Sequence, residues 1–124
     1  MIDHVSIPVS DLSKSSKFYE EVLAEIGHKK LVNLPNTVGF GKSYPEFWLN
    51  ARPDLCKAGI NDGFHVCLRA KSEDCVTRFY DVAIKCGATS DGKPGLRTEY
   101  ANNYYAAFVK DRDGNRIEMV TFVS

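Results

Sequence analysis

Apolar residues along this chain recur at two different periods. Ile2 to Val9 is rich in Val and Ile and reads as a strand. From Leu12 the spacing changes. Leu12, Ser15, Phe18, Tyr19, Val22, Leu23 and Ile26 recur at three and four, the interval of one buried helix face. Asp11 stands where an N-cap belongs, and Gly27 where a left-handed stop belongs. Short strands are expected near His28–Leu34, Thr37–Gly41 and Phe47–Leu49. The stretch from Ala51 to Asp62, with Arg-Pro-Asp, Gly59 and Asn-Asp-Gly, reads as a connection.

The pattern then repeats. Phe64 to Ala70 reads as a strand, and Ser72 caps a helix running to about Cys86. Cys75, Val76, Phe79, Val82 and Ala83 share its apolar face, and Gly87 ends it. Ala88 to Leu96 reads as a weak strand plus a loop. Asn103 to Val109 is a strand, Asp111 to Asn115 a turn with Asp-Gly at its heart, and Arg116 to Val123 a last strand. Setting His4 on His65 gives an offset of 61 residues, and that offset carries Phe18-Tyr19 onto Phe79-Tyr80 and Asp11 onto Ser72. Gly27 and Gly87 close the two segments one residue out of step. The expectation is one α+β domain over residues 1–124. It is built from two βαβββ modules, about 1–55 and 62–124, related by a pseudo-twofold.

Composition narrows the class. A chain of 124 residues buries roughly two thirds of its unfolded surface. Its 16 basic and 16 acidic residues cancel and form no block of one sign, which argues against nucleic acid or an anionic membrane as partner. The apolar runs are far short of a membrane span. The first residues carry acid and histidine where a signal peptide carries base, so the protein is placed in the cytoplasm. Cys56, Cys67, Cys75 and Cys86 include no Cys-x-x-Cys pair, so they read as free thiols, the last three as small half-buried residues.

Candidate chemistry lies in polar residues inside apolar strands. His4 and His65 hold equivalent places in the first strand of each half. Glu118 faces away from Ile117 and Met119 in the last strand. Buried alone, such an acid costs several kcal/mol, and a cation held with two histidines would compensate it. Two imidazoles and a carboxylate are a recognised facial set for divalent metals, which act as Lewis acids on bound oxygens. His28 has no repeat partner and reads as a surface or helix-end residue. The segment Leu96–Tyr105 is rich in Tyr, Asn and Arg, and loops beside a rigid sheet concentrate ligand contacts. Tyr104 and Tyr105 point to opposite faces, and either offers a phenol; Tyr105 is taken as the one that orients substrate. Arg97, Asn103 and Trp48 complete the candidate pocket, with Arg97 suited to a carboxylate or phosphate and Trp48 to a cavity floor. The plainer readings are a solvated histidine, core aromatics and a solvated arginine.

The segments IDHVSIPVSDLSKSSKFYEEVL, GFHVCL and NYYAAFVKDRDGNRIEMV resemble the vicinal oxygen chelate superfamily, which holds glyoxalase I, extradiol dioxygenases and bleomycin-resistance proteins. The resemblance spans the whole chain. It implies a curved mixed sheet with a cavity, and metal ligands from the first and last strand of each half. His4, His65 and Glu118 fill three such positions. The fourth falls on Trp48, which cannot ligate, while Glu46 lies two residues earlier, about 7 Å along the strand. The four-ligand glyoxalase I set is therefore incomplete, and three ligands look more like the dioxygenase set. The implied function is an enzyme dependent on Fe, Mn, Ni or Zn, a lyase, isomerase or dioxygenase, acting on a small oxygenated molecule. Glu118 and Tyr105 would be its catalytic residues, and a homodimer its assembly. The alternatives are a metal-free protein that sequesters a small molecule, like the bleomycin-resistance members, and a decayed site kept for dimer assembly.

Overall fold

A computed structural model describes residues 1–56 and 63–124; residues 57–62 of the expected connection lie outside the described residues. The chain divides into two compact units, Met1–Lys57 and Ala58–Ser124. Each unit is a four-stranded mixed sheet with one helix on it, an α+β module of β-α-β-β-β order.

In the first unit, β1 (Val5–Val9) leads through α1 (Leu12–Leu23) to β2 (Lys29–Asn33), β3 (Thr37–Gly41) and β4 (Phe47–Ala51). The spatial order is β1-β4-β3-β2, with β1 and β4 parallel and the other pairs antiparallel. The Asp11 side chain accepts from Lys14 N and caps α1. The helix ends in a short 3-10 turn, Ala24–Ile26, and Gly27 takes φ +78°, a left-handed value that favours glycine. Tyr19, Val22 and Leu23 pack with Ile7, Val9, Phe40, Phe47 and Leu49 as the core.

The second unit repeats the plan. Strand β5 (Val66–Arg69) leads through α2 (Glu73–Lys85) to β6 (Thr89–Leu96), β7 (Tyr104–Lys110) and β8 (Arg116–Phe122). The order is β5-β8-β7-β6, with β5 and β8 parallel. Phe79, Val76 and Ala83 of α2 are fully buried, as are Val109, Ile117 and Met119 of the sheet. Strand β6 is longer than the weak strand expected, but its pairing with β7 slips at Gly92 and again before Gly95. Among the described residues no helix is long and apolar enough to cross a membrane.

The β7–β8 hairpin sets which side chains share a face. A two-residue Asp-Gly turn would pair Arg112 with Asn115 and put Val109 opposite Glu118. The observed loop instead runs over five residues, because Asp111 organises it. Its Oδ1 accepts from Asp113 N and Asn115 N, each at 2.9 Å, and its Oδ2 accepts from Asn115 Nδ2. Gly114 supplies the left-handed residue, at φ +88°. Lys110 therefore pairs with Arg116, and Phe108, not Val109, lies opposite Glu118. Asp111→Ala removes three hydrogen bonds from a buried charged acceptor. We expect it to destabilise the protein by about 3 kcal/mol in urea unfolding, and a loss below about 1 kcal/mol would refute this role for the loop.

Candidate active site

The candidate site is built on the face of the second sheet that α2 does not cover. Alternation along β8 puts Ile117 and Met119 under the helix and turns Glu118 to the opposite face. Cys67 pairs with Glu118 across the parallel β5–β8 ladder, and Phe108 pairs with it on the β7 side. His65 is the second residue before Cys67 and shares its side of the chain. Its Nε2 lies 3.0 Å from Glu118 Oε1. The Glu118 side chain is only 3% exposed, whereas that of His65 is 46% exposed.

The second carboxylate oxygen is held from the other end of the sheet. Tyr104 pairs with Phe122, four residues along β8 from Glu118. Its ring must therefore run along the sheet across the Ala106–Val120 pair, and a small Ala106 leaves room for it. The phenol donates a hydrogen bond to Glu118 Oε2. Tyr100 and Phe122 brace the Tyr104 ring edge-on at 5.2 and 5.3 Å. Burial, then the hydrogen bond to Glu118, raises the Tyr104 phenol well above its ordinary range, so it remains a donor at neutral pH. Local desolvation, then the Glu118 charge, pushes the Cys67 thiol up to about 12.

A cavity of about 630 Å³ opens beside this cluster, within the second unit. His65 and Phe108 belong to its wall, together with Lys93, Arg97, Tyr100 and Arg116. The Arg97 guanidinium lies 5.5 Å over the Phe108 ring and donates to the Lys93 carbonyl.

In the first unit the same ladder frame carries different chemistry. Ser6 pairs with Trp48 where Cys67 pairs with Glu118. Trp48 thus occupies the Glu118 position of its module, and its ring covers Gly39, where an added Cβ would come within 2.9 Å of it. His4 immediately precedes β1, as His65 immediately precedes β5. It is exposed, with Nδ1 2.7 Å from Asp3 Oδ1. Tyr44 first, then His4, holds the Asp3 carboxyl below its ordinary range. Glu46 Oε2 lies 3.4 Å from His28 Nε2.

The family model described as Glyoxalase/Bleomycin resistance protein/Dioxygenase superfamily matches residues 1–119. The chain belongs to this superfamily. Metallothiol transferase FosB of Shouchella clausii is 26% identical over 120 residues, spanning 97% of this chain and 79% of that protein. A glyoxalase/bleomycin resistance protein from Albidiferax ferrireducens superposes with a TM-score of 0.83 at 26% identity, covering 95% of this chain and 96% of that one. A mutant of the fosfomycin resistance protein FosX from Listeria monocytogenes was solved with Mn(II) and 1S,2S-dihydroxypropylphosphonic acid. It superposes at a TM-score of 0.74 and 11% identity, covering 99% and 90%, a likeness that shows the fold alone.

Within this glyoxalase-superfamily fold, the second unit brings His65 and Glu118 together. It also brings Arg97 into the cavity wall. Tyr105 stands elsewhere. It pairs with Thr121 on the face of Ile117 and Met119, and the phenol on Glu118 belongs to Tyr104. The five-residue loop is the reason, since a two-residue turn would have reversed the parity. Asn103 sits exposed in the turn before β7, where its carbonyl accepts from Val123 N at 2.9 Å. His28 stands at the helix end, where its N donates to the Leu23 carbonyl at 3.1 Å, and its side chain, 12% exposed, is paired with Glu46. Cys75 is buried, while Cys67 and Cys86 are exposed rather than half-buried; Cys56 is exposed as well. Among the described residues no group of three His, Cys, Asp or Glu side chains converges tightly enough to hold a metal ion.

Two outcomes check this geometry. Tyr104→Phe leaves Glu118 Oε2 without its donor and is expected to cost about 1–3 kcal/mol in urea unfolding. Tyr105→Phe removes no such bond and should stay within about 0.5 kcal/mol; equal losses would contradict the assignment. With its pKa near 12, the Cys67 thiol is deprotonated in only about one molecule in ten thousand at pH 8. Iodoacetamide mapping of chelated protein at that pH should find Cys86 modified well before Cys67, with Cys67 accelerating as pH rises. Equal rates at pH 8 would show that the thiol is not suppressed.

Proposed function

We propose that this protein is a divalent-metal-dependent enzyme of the glyoxalase superfamily acting on a small oxygenated molecule. The observation that carries the reading is the Glu118 carboxylate, buried in a β-strand with the imidazole of His65 at 3.0 Å. Nitrogen and oxygen donors of this kind fit a borderline divalent cation such as Mn, Fe, Ni or Zn. Glu118 and His65 would hold the metal, and His4 is proposed as the third ligand from its equivalence to His65 in the repeat. The Asp3 carboxylate on His4 Nδ1 suits that role, because a carboxylate partner orients a ligating imidazole and leaves Nε2 available. When bound, such a metal would act as a Lewis acid on substrate oxygens. Tyr104 holds Glu118 in place through Oε2 and keeps its own proton. The relative FosB, by its name a metallothiol transferase, supports the reading. The same reading takes the protein as cytoplasmic and, on the resemblance, as a homodimer.

One observation favours a second reading. Both oxygens of Glu118 already have partners, so the fold can bury this carboxylate without a cation. A metal-free binding protein would use the same cavity. Elemental analysis separates the two. Protein purified without added metal, and again after soaking with Mn, Fe, Ni and Zn, should carry near-stoichiometric ion. His65→Ala and Glu118→Gln should each lose at least about tenfold in metal affinity, and His4→Ala likewise. An absence of metal in every sample would sink the enzyme reading in favour of the binding protein.

A further inference from the structure

The cavity beside Glu118 contains a cation whose placement the metal ligands do not explain. Arg97 is partly buried, and its guanidinium is fixed from three sides. Phe108 lies beneath it at 5.5 Å, and the Lys93 carbonyl accepts from Nη2. Gly92 lies against it on the third side, where an added Cβ would stand 3.1 Å from Nη2 and 2.9 Å from the Phe108 ring. The bulged pairing of β6 at Gly92 is what brings that backbone so close. Holding a long side chain in one orientation costs rotamer entropy, so the arrangement does more than solvate a surface charge.

No acidic side chain pairs with Arg97 among the described residues. The nearby Asp91 is taken up by Arg116, at 3.5 Å, and by Lys110, at 4.0 Å. Glu99 also belongs to the cavity wall, so the net charge of the wall is not what marks the site. The mark is a planar donor, preset and without an acidic partner among the described residues, at a cavity that His65 also lines. Phe108 links Arg97 to Glu118, because it supports the first and pairs with the second in the β7–β8 ladder.

We infer that Arg97 is the anion-recognising residue of this cavity, and that the substrate carries an oxyanion, a phosphonate, phosphate or carboxylate. The inference deepens the metal-dependent reading by assigning the charge of the substrate. Guanidinium forks match such groups with two parallel hydrogen bonds. Stacking on Phe108 leaves the edge of the guanidinium available for them. Gly92 and Phe108 are positioning residues: they touch Arg97, not the ligand.

The test is a titration of the full chain, as purified and after chelation, with methylphosphonate and with acetate, followed by amide and arginine Nε–H chemical shifts. Either anion should shift residues 91–97 and the Arg97 Nε–H saturably. The tighter of the two identifies a phosph(on)ate or a carboxylate. Arg97→Ala should weaken binding about tenfold or more with an unchanged melting midpoint. Arg97→Lys should recover part of it, because a point charge lacks the fork. Gly92→Ala, which crowds the guanidinium, should weaken it in the same direction. No saturable shift with either anion, or an Arg97→Ala affinity within twofold of the parent, overturns the inference. The chelated arm separates the two readings. Anion binding without metal supports this inference even where metal analysis fails, whereas stoichiometric metal with no anion response sinks it alone.

Discussion

The buried carboxylate of Glu118 constrains the second unit more than any other single group. It sits in β8 between Ile117 and Met119, which the helix covers, and its own side chain is nearly inaccessible. An ionised group in that place is costly unless each oxygen finds a donor. His65 reaches one oxygen from the residue preceding β5, and Tyr104 reaches the other from the far end of β7. Each contact depends on the ladders. Parallel pairing of β5 with β8 brings His65 alongside, and antiparallel pairing of β7 with β8 aims Tyr104 along the sheet. The small side chain of Ala106 completes the path. The raised Cys67 thiol is a further consequence of the same charge in the same partly desolvated place.

The two modules show that an inherited frame does not oblige an inherited chemistry. Ser6–Trp48 and Cys67–Glu118 are the same pair of ladder positions, 61 residues apart on the first strand. In one module that place holds an indole lying over Gly39, and in the other a carboxylate tied to an imidazole and a phenol. Backbone pairing is indifferent to the substitution, because the side chain points off the sheet. Glu46, the nearest acid in the first module, is engaged with His28 instead. Superfamily membership therefore carries the fold securely, while the chemistry must be read from the particular side chains on it.

Within the second unit, His65 and Arg97 line one cavity. The imidazole of His65 stands beside Glu118. The guanidinium of Arg97 is held against a bulged edge strand. Phe108 touches both in effect, as platform for Arg97 and ladder partner of Glu118. Edge strands are often interrupted to block unwanted pairing. Here the interruption at Gly92 also brings backbone against a charged side chain.

Much of this was legible in the order of residues. Helix faces at three-and-four spacing, caps at Asp11 and Ser72, and stops at Gly27 and Gly87 are local signals, and the structure places α1 and α2 between them. The repeat offset carried His4 onto His65 because equivalent positions in a duplicated module keep equivalent backbone environments. That an acid lies at position 118 with apolar neighbours was equally plain. Two things needed the folded chain. One was parity: the Asp111 carboxylate closes a five-residue loop, and a change of one residue in that loop decides whether Tyr104 or Tyr105 faces Glu118. The other was the fixing of Arg97, which depends on a slip in β6 pairing and on Phe108, eleven residues away. Local propensity and periodicity are properties of neighbouring residues, so sequence alone determines them. Register and side-chain convergence depend on how distant segments pair, and only the tertiary structure decides that.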